Sequence, residues 1–157
     1  MITYASDFNE IPSALSNNKE LQEKMLSLIA SKKIAGKATE GAGRIEEFRA
    51  ILSQLTKGEL RLDEAIRAVE DRLPRYTSIH SGDNRVFASG WAERLTRTQF
   101  SRFYNQAVLE IEIAKGHNEC FVPPSSQEQE SSPCSQVLAG HSHDVSHLLK
   151  LLVTSYE

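Results

Sequence analysis

The feature that most constrains this chain is an apolar repeat at three- and four-residue spacing, which returns in several stretches of the sequence. An α-helix has 3.6 residues per turn, so residues with this spacing share one face, which is buried against other elements. The longest run precedes Lys115-Gly116 and consists of Phe100, Phe103, Tyr104, Ala107, Val108, Ile111 and Ala114. The repeat predicts a mainly α fold.

Three earlier stretches carry the same repeat between recognisable helix ends. Helices are predicted over about 18–35, over about 44–57 and over 62–73, where Pro74 ends the third. The short link between the second and the third favours antiparallel neighbours. The sequence therefore predicts a helical hairpin in its first half.

The later helices are predicted from their capping residues. Asp83 is placed to cap a helix, and the pattern over 84–115 fits either one helix or two helices that meet near Leu95. Asp144 is placed to cap a last helix that carries several leucines.

Between these helices lies a segment of a different kind. Cys120-Phe121-Val122 predicts a short strand that ends at Pro123-Pro124, and a polar loop is predicted over 124–133. The fold class is therefore a mainly α helical bundle of about five or six helices, with a short strand or irregular segment near 119–123.

The glycine-rich segment GKATEGAGR marks the predicted division of the chain. It holds three glycines and no apolar repeat, which favours a flexible connector. We expect residues 1–43 to form an N-terminal helix with this connector, and residues 44–157 to form the helical core with the C-terminal helix.

Composition excludes several classes of protein. The 157 residues carry a formal net charge of −3, so binding of nucleic acid through an overall positive charge is disfavoured. No run of about 18 apolar residues occurs, and no basic leader precedes an apolar segment. With only two cysteines, a disulfide framework is not expected. We expect a soluble intracellular chain that binds no membrane.

Two sets of residues have the chemistry of an active site without its usual spacing. Zinc ligands usually come in close pairs, which are missing among Cys120, Cys134, His141, His143 and His147. Arg75 and His80 have the spacing of a pair found in some helical ribonucleases, but Pro74 and Gly82 place them in a turn. Exposed histidines and ordinary buried cysteines are the simpler interpretation, so we predict no catalytic residue, metal or cofactor.

The segment from Arg97 to Ala107 interleaves arginines with aromatic residues, which is typical of a contact helix. Phe100, Phe103 and Tyr104 have the spacing of a buried stripe, which leaves the arginines on a solvated or partner-facing edge. Pairing of the arginines with phosphates is the alternative. The predicted contact residues are Arg94, Arg97, Gln99, Arg102, Tyr104 and Asn105.

GELRLDEAIRAVEDRL is followed by Arg97-Thr98 and, eight positions after the arginine, by Asn105; ECFV and Leu138-Ala139-Gly140 come later. In this order of features, the segment from about 48 to 147 resembles the phage head-morphogenesis family, the minor head proteins typified by the F protein of phage Mu. Gln99 stands where that family has glutamate, and its cysteine pair is reduced to Cys134. The resemblance therefore implies assembly contacts, and the metal or thiol site of the family is not carried over to this chain.

A shorter segment, ERLTRTQFSRFYNQAV, is similar to a helix of the small helical subunits of type III CRISPR complexes. This second resemblance covers one helix and implies an RNA- or DNA-lining subunit with Arg97 and Arg102 near phosphates.

Together, the sequence predicts a non-enzymatic structural protein, a minor component of a phage-type head that contacts portal or capsid subunits within a multi-subunit assembly. We expect it in the host cytoplasm and in the virion. The alternatives are a nucleic-acid-binding subunit of an RNA-guided defence complex and a metal-dependent or ribonuclease-like enzyme.

Overall fold

A computed structural model of the protein describes residues 4–5, 7–122 and 141–156. The helices of these residues are α1 (Ile11–Ser16), α2 (Lys19–Ser31), α3 (Arg44–Thr56), α4 (Leu62–Arg72), α5 (Trp91–Ala114) and α6 (Val145–Tyr156), and the strands are β1 (Glu119–Val122) and β2 (His141–Asp144). Short 3-10 turns lie at Phe8–Glu10, Lys37–Thr39 and Arg75–Thr77. The predicted mainly α fold with a strand near 119–123 is confirmed.

Helix α5 is the central element of the bundle. It packs against α2, α4 and α6, while α3 packs against both α2 and α4. One cluster of buried apolar side chains joins α1 to α5, and its largest members include Phe48, Phe100 and Phe103. Burial of each such ring stabilises the fold by about 1.5–3 kcal/mol. The predicted division at residue 43 therefore falls between helices that share one core.

The helix ends follow the capping residues in most places. The side chain of Asn18 accepts a hydrogen bond from the backbone N–H of Leu21 at 3.1 Å, so α2 begins where it was predicted to begin. The helix ends at Ser31, earlier than the predicted 35, although Ile34 beyond it is still buried. The helices predicted over about 44–57 and 62–73 are confirmed as α3 and α4.

The glycine-rich connector is a folded turn that packs on the core. It contains the turn at Lys37–Thr39, and Thr39 is buried. Gly41 and Gly43 have φ angles of 117° and 80°, which side chains disfavour. The glycines supply these backbone conformations, which corrects the interpretation of the segment as a flexible connector.

The start of α5 differs from the prediction. Residues 84–90 are turns, and the helix begins at Trp91 after Gly90, whose φ is 79°. The carboxylate of Asp83 accepts a hydrogen bond from the N–H of Arg85 at 2.8 Å, so Asp83 caps a turn and the predicted helix cap is wrong. Thr96 donates to the carbonyl of Ala92 within one continuous helix. Of the two alternatives for residues 84–115, the structure therefore has a single helix, Trp91–Ala114, without a break near Leu95.

The C-terminal part adds a strand that the sequence pattern did not predict. β1 pairs antiparallel with β2, with Cys120 opposite His143 in the register. The carboxylate of Asp144 accepts from the N–H of His147 at 2.9 Å, which confirms the predicted cap of α6. Val145 and Leu148 of α6 pack on Leu109 of α5. The polar loop predicted over 124–133 lies outside the described residues.

None of the described helices combines the length and the apolar character needed to cross a bilayer.

The N-terminal segment is joined to the end of α5 through Glu112. Tyr4 donates its hydroxyl proton to Glu112 at 2.5 Å, and His117 contacts the other carboxylate oxygen. Burial alone raises the pKa of Glu112, whose side chain is 13% exposed, but the hydrogen bonds from Tyr4 and His117 outweigh burial. The net pKa of Glu112 is therefore below its ordinary value.

A group with a depressed folded-state pKa stabilises the fold above its unfolded pKa, and this contribution disappears as the pH falls through the folded value. We expect Glu112→Gln to lower the free energy of unfolding by about 1–2 kcal/mol at pH ~7. The difference from wild type should shrink as the pH falls below 4.5, the ordinary pKa of the carboxyl group. Urea unfolding of both proteins over a range of pH measures this difference in stability.

Glu23 is the matched control for Glu112, because its carboxylate is 64% exposed and 3.8 Å from Lys19. Glu23→Gln should change stability by less than about 0.5 kcal/mol at any pH. A Glu112→Gln deficit that persists unchanged in acid would contradict the role of the ionised carboxylate.

Candidate interaction surface

The predicted contact residues of α5 do not lie on one surface. Gln99, Arg102 and Tyr104 are buried, whereas Arg94 and Asn105 are exposed. The side chain of Arg97 is 28% exposed, lies 3.9 Å from Glu93 and stacks on the ring of Phe8 at 4.3 Å. A central helix with neighbours on several sides leaves only part of its circumference at the surface. The single contact helix face predicted from the sequence is therefore divided between surface and core.

Arg102 corrects the expectation of a solvated arginine edge. The residue is 1% exposed, and its guanidinium donates to the carbonyl of Lys33 at 3.0 Å. The guanidinium carbon also lies 4.1 Å from the ring centre of Phe103 and 5.6 Å from that of Tyr156 in α6. Arg102 therefore joins the end of α2, α5 and α6 inside the bundle.

Tyr104 also has a structural contact. Its hydroxyl oxygen accepts a hydrogen bond from the backbone N–H of Ala5 at 2.7 Å. The aromatic side chain is buried against the core, so it holds the N-terminal segment on α5.

A different surface is formed by the connector between α2 and α3 and by the loop between α4 and α5 together with the start of α5. We call it the loop face and define it as residues 36–44 together with residues 74–95. Two arginines stabilise it, one by joining the two segments and one by hydrogen bonds within the second segment. The first, Arg44, is only 4% exposed, and burial lowers the pKa of its guanidinium, which remains protonated.

The guanidinium of Arg44 forms a set of hydrogen bonds between the two segments. Nε donates to the carbonyl of Ala38 at 2.9 Å. Nη1 donates to the carbonyl of Pro74 and to the hydroxyl of Thr77, each at 2.9 Å, and Nη2 donates to the carbonyl of Leu73 at 3.1 Å. Arg44 therefore fixes the connector against the C-terminal end of α4.

Arg75 folds the loop that follows. It donates to the carbonyl of Ser81 at 2.6 Å and to the side-chain oxygen of Asn84 at 2.7 Å. The guanidinium carbons of Arg75 and Arg44 lie 5.7 and 5.8 Å from the ring centre of Phe87, and Trp91 meets this ring edge-on at 5.0 Å. Phe87 is thus buried within the loop without being part of a helix.

This ordered loop presents two large apolar side chains to solvent. Tyr76 is 83% exposed and Ile79 is 75% exposed, although Ser78 between them is buried. Each flanks a residue that the arginine network or the core holds in place, so the backbone that carries them is ordered before binding and need not be ordered by a partner. Exposed apolar side chains on a preorganised segment are typical of a protein contact.

An open groove of about 430 Å³ lies on the same face. Its apolar lining consists of Ala38, Val86, Trp91 and Leu95, and its charged lining consists of Lys37, Arg85, Arg94 and Asp83. The guanidinium of Arg44 contacts both Ala38 in the groove and Thr77 beside the exposed apolar residues. Arg44 therefore links the lining of the groove to the loop that carries Tyr76 and Ile79.

The predicted ribonuclease-like pair has other partners in the structure. Arg75 contacts the loop, whereas Nε2 of His80 lies 2.7 Å from the carboxylate of Glu40. Arg75 therefore stabilises its own loop, whereas His80 links that loop to the connector.

The candidate zinc ligands give no cluster in the part of the chain that the structure describes. Cys134 and the side chains of Cys120 and His141 lie outside the described residues. Elsewhere, no three histidine, cysteine, aspartate or glutamate side chains are grouped closely enough to hold a metal ion.

The sequence pattern did not predict a site at Tyr76 and Ile79 or at the groove. The signal for the first two was present, because they are the large apolar residues of the polar segment RYTSIHSGD and fit no helical repeat. The groove brings together residues from Lys37 to Leu95, and only the folded connector shows that they meet.

Comparison of the chain with protein-family models, with curated proteins and with solved structures finds no match. The resemblances to phage head-morphogenesis proteins and to CRISPR subunits stay predictions from the sequence.

Proposed function

We propose that this protein is a non-enzymatic docking subunit of a larger assembly and that the loop face is its contact surface. The observation that carries the proposal is the exposure of Tyr76 and Ile79 on a loop held by Arg44 and Arg75. Holding apolar side chains in water on an ordered loop adds no stability to a chain without partners. A docking protein, in contrast, binds more tightly when the segment that carries its contact residues is preorganised.

The specific assembly that we propose is a phage-type head, in which the chain contacts portal or capsid subunits. The support for this choice is the order of sequence features within residues 48–147, from GELRLDEAIRAVEDRL through Arg97-Thr98 and Asn105 to Leu138-Ala139-Gly140. In such an assembly the chain passes from the host cytoplasm into the virion, and it needs no cofactor.

We expect Tyr76→Asp combined with Ile79→Asp to weaken binding to portal or capsid proteins encoded beside this chain by about 10- to 100-fold. The reason is that burial of two apolar side chains is replaced by burial of two carboxylates. Titration of the purified partners measures the change, and a photo-crosslinking residue at position 76 identifies the subunit contacted.

The matched control replaces two other exposed apolar residues, Ile113 and Leu151, by aspartate. Their substitution should leave partner affinity unchanged. Equal losses in both double variants, or no binding to either head protein, would contradict the proposal. A catalysed reaction that disappears when a titratable side chain is replaced would contradict its non-enzymatic part.

Nucleic-acid binding is the second candidate function, and the three cations of the groove favour it. Arg94 and Arg97 are the α5 arginines available to test it, because loss of binding in an Arg102 variant would report a damaged core.

A further inference from the structure

The groove of the loop face has a lining that restricts what can occupy it. Lys37, Arg85 and Arg94 bring three positive charges, against the one carboxylate of Asp83. The whole chain, in contrast, has a net charge of −3. An anionic partner is therefore repelled by most of this protein and attracted locally to the groove.

Two of the cations are available for a partner. Lys37 and Arg85 are exposed, and neither forms an ion pair with another side chain in the described ranges. Arg94 is held in place at the rim, because its guanidinium donates to the carbonyls of Ser89 at 2.6 Å and Ala88 at 3.4 Å. The positive rim is thus partly preorganised.

The apolar lining of the groove favours one class of anionic partner over another. Val86, Leu95 and Ala38 are aliphatic and offer no side-chain hydrogen bond to a base edge, and Trp91 alone among these lining residues offers an aromatic face. Single-stranded nucleic acids are bound by several stacking rings along a positive groove. An apolar floor with a charged rim instead matches an amphipathic protein segment, whose apolar side chains fill the groove.

We infer that this groove binds an acidic amphipathic segment of the partner protein, with carboxylates facing Lys37, Arg85 and Arg94 and apolar side chains facing Val86, Trp91 and Leu95. The inference rests on the proposed function, since it names the chemistry of the partner that docks on the loop face. Tyr76 and Ile79 extend the apolar contact beyond the groove.

The test selects binders without presupposing their sequence. The full chain is presented to a random 12-residue peptide display library, and bound peptides are counter-selected against the Lys37→Glu, Arg85→Glu variant. Enriched peptides should combine glutamate or aspartate with large apolar residues. Their affinity should fall at least about tenfold in the variant and should weaken with added salt.

The matched control reverses two exposed cations away from the groove, through Lys57→Glu and Lys150→Glu. The Lys57→Glu, Lys150→Glu double variant has the same net charge as the groove variant, and it should bind the selected peptides with the affinity of the wild type. Peptides without acidic residues, or equal losses in both variants, would overturn the inference.

A fluorescent 20-nucleotide oligo-dT strand distinguishes the other class of partner. We expect it neither to bind measurably at physiological salt nor to displace the peptides. Salt-dependent binding that the groove variant abolishes would assign the groove to nucleic acid instead. If the peptide test fails while residue 76 still crosslinks to a head subunit, the inference falls and the proposed function stands.

Discussion

Arg44→Met is expected to lower the free energy of unfolding by about 3–5 kcal/mol, because it removes four hydrogen bonds of a charged donor, one of them to the buried carbonyl of Leu73. Methionine keeps much of the stem, but the carbonyls of Ala38 and Leu73 lose the guanidinium donor, while that of Pro74 keeps its hydrogen bonds from Thr77. Urea or guanidinium unfolding, followed by circular dichroism, measures the change.

Arg67→Met is the control, because Arg67 has a side-chain exposure of 73% and lies 3.5 Å from Asp63. Its loss should cost less than about 1 kcal/mol. A cost for Arg44→Met as small as this would show that the connector and α4 are held by other contacts.

The Arg44→Met variant should also affect the loop face more than the rest of the bundle. Residues 74–90 should exchange their amide hydrogens faster, while Phe48 and Phe100 keep the core packed. Binding through Tyr76 and Ile79 should weaken even at temperatures where the variant remains folded. That result would show that the order of the loop, as well as its exposed side chains, contributes to docking.

The helices that the sequence predicted well are those in which local signals agree. Asn18 and Asp144 each cap a helix whose apolar repeat begins directly after them. Local capping and periodicity depend on residues within a few positions, so they can be recognised from one sequence.

The start of α5 was predicted wrongly for a physical reason. Phe87 has the spacing of a helical core residue relative to Trp91, and it is indeed buried. What buries it, however, is the arrangement of Arg44 and Arg75 around its ring. An apolar pattern reports that a side chain is shielded from water, but it does not distinguish a helix from a loop held by distant arginines.

The candidate site was harder to predict than the fold, because its residues meet only through long-range contacts. Lys37 lies far from Arg85 in the sequence, and the folded connector brings both to one groove. Arg102 was predicted to be solvated, because charged residues are usually exposed. Its burial follows from contacts with Lys33 and Tyr156, which are distant in the sequence.

Arg102→Ala is expected to lower the free energy of unfolding by about 3–4 kcal/mol, since it leaves a cavity and removes a charged hydrogen-bond donor. The residue is 1% exposed, and its guanidinium donates to the carbonyl of Lys33 at 3.0 Å. Arg102→Met should cost about 1–3 kcal/mol, because methionine fills much of the volume and only the hydrogen bond and the ring contacts are lost. The difference in unfolding free energy between Arg102→Ala and Arg102→Met therefore separates the contribution of packing from that of the polar contacts.

Arg97→Ala is the control on the same helix, because its side chain is 28% exposed and its ion pair spans 3.9 Å. It should cost about 1 kcal/mol or less. Faster amide exchange throughout α6 is expected in the Arg102 variants alone, since Tyr156 loses its contact with the guanidinium. Equal stability of the Arg97 and Arg102 variants would contradict the buried structural role of Arg102. It would instead support the solvated arginine edge that the sequence predicted, with Arg102 at the surface.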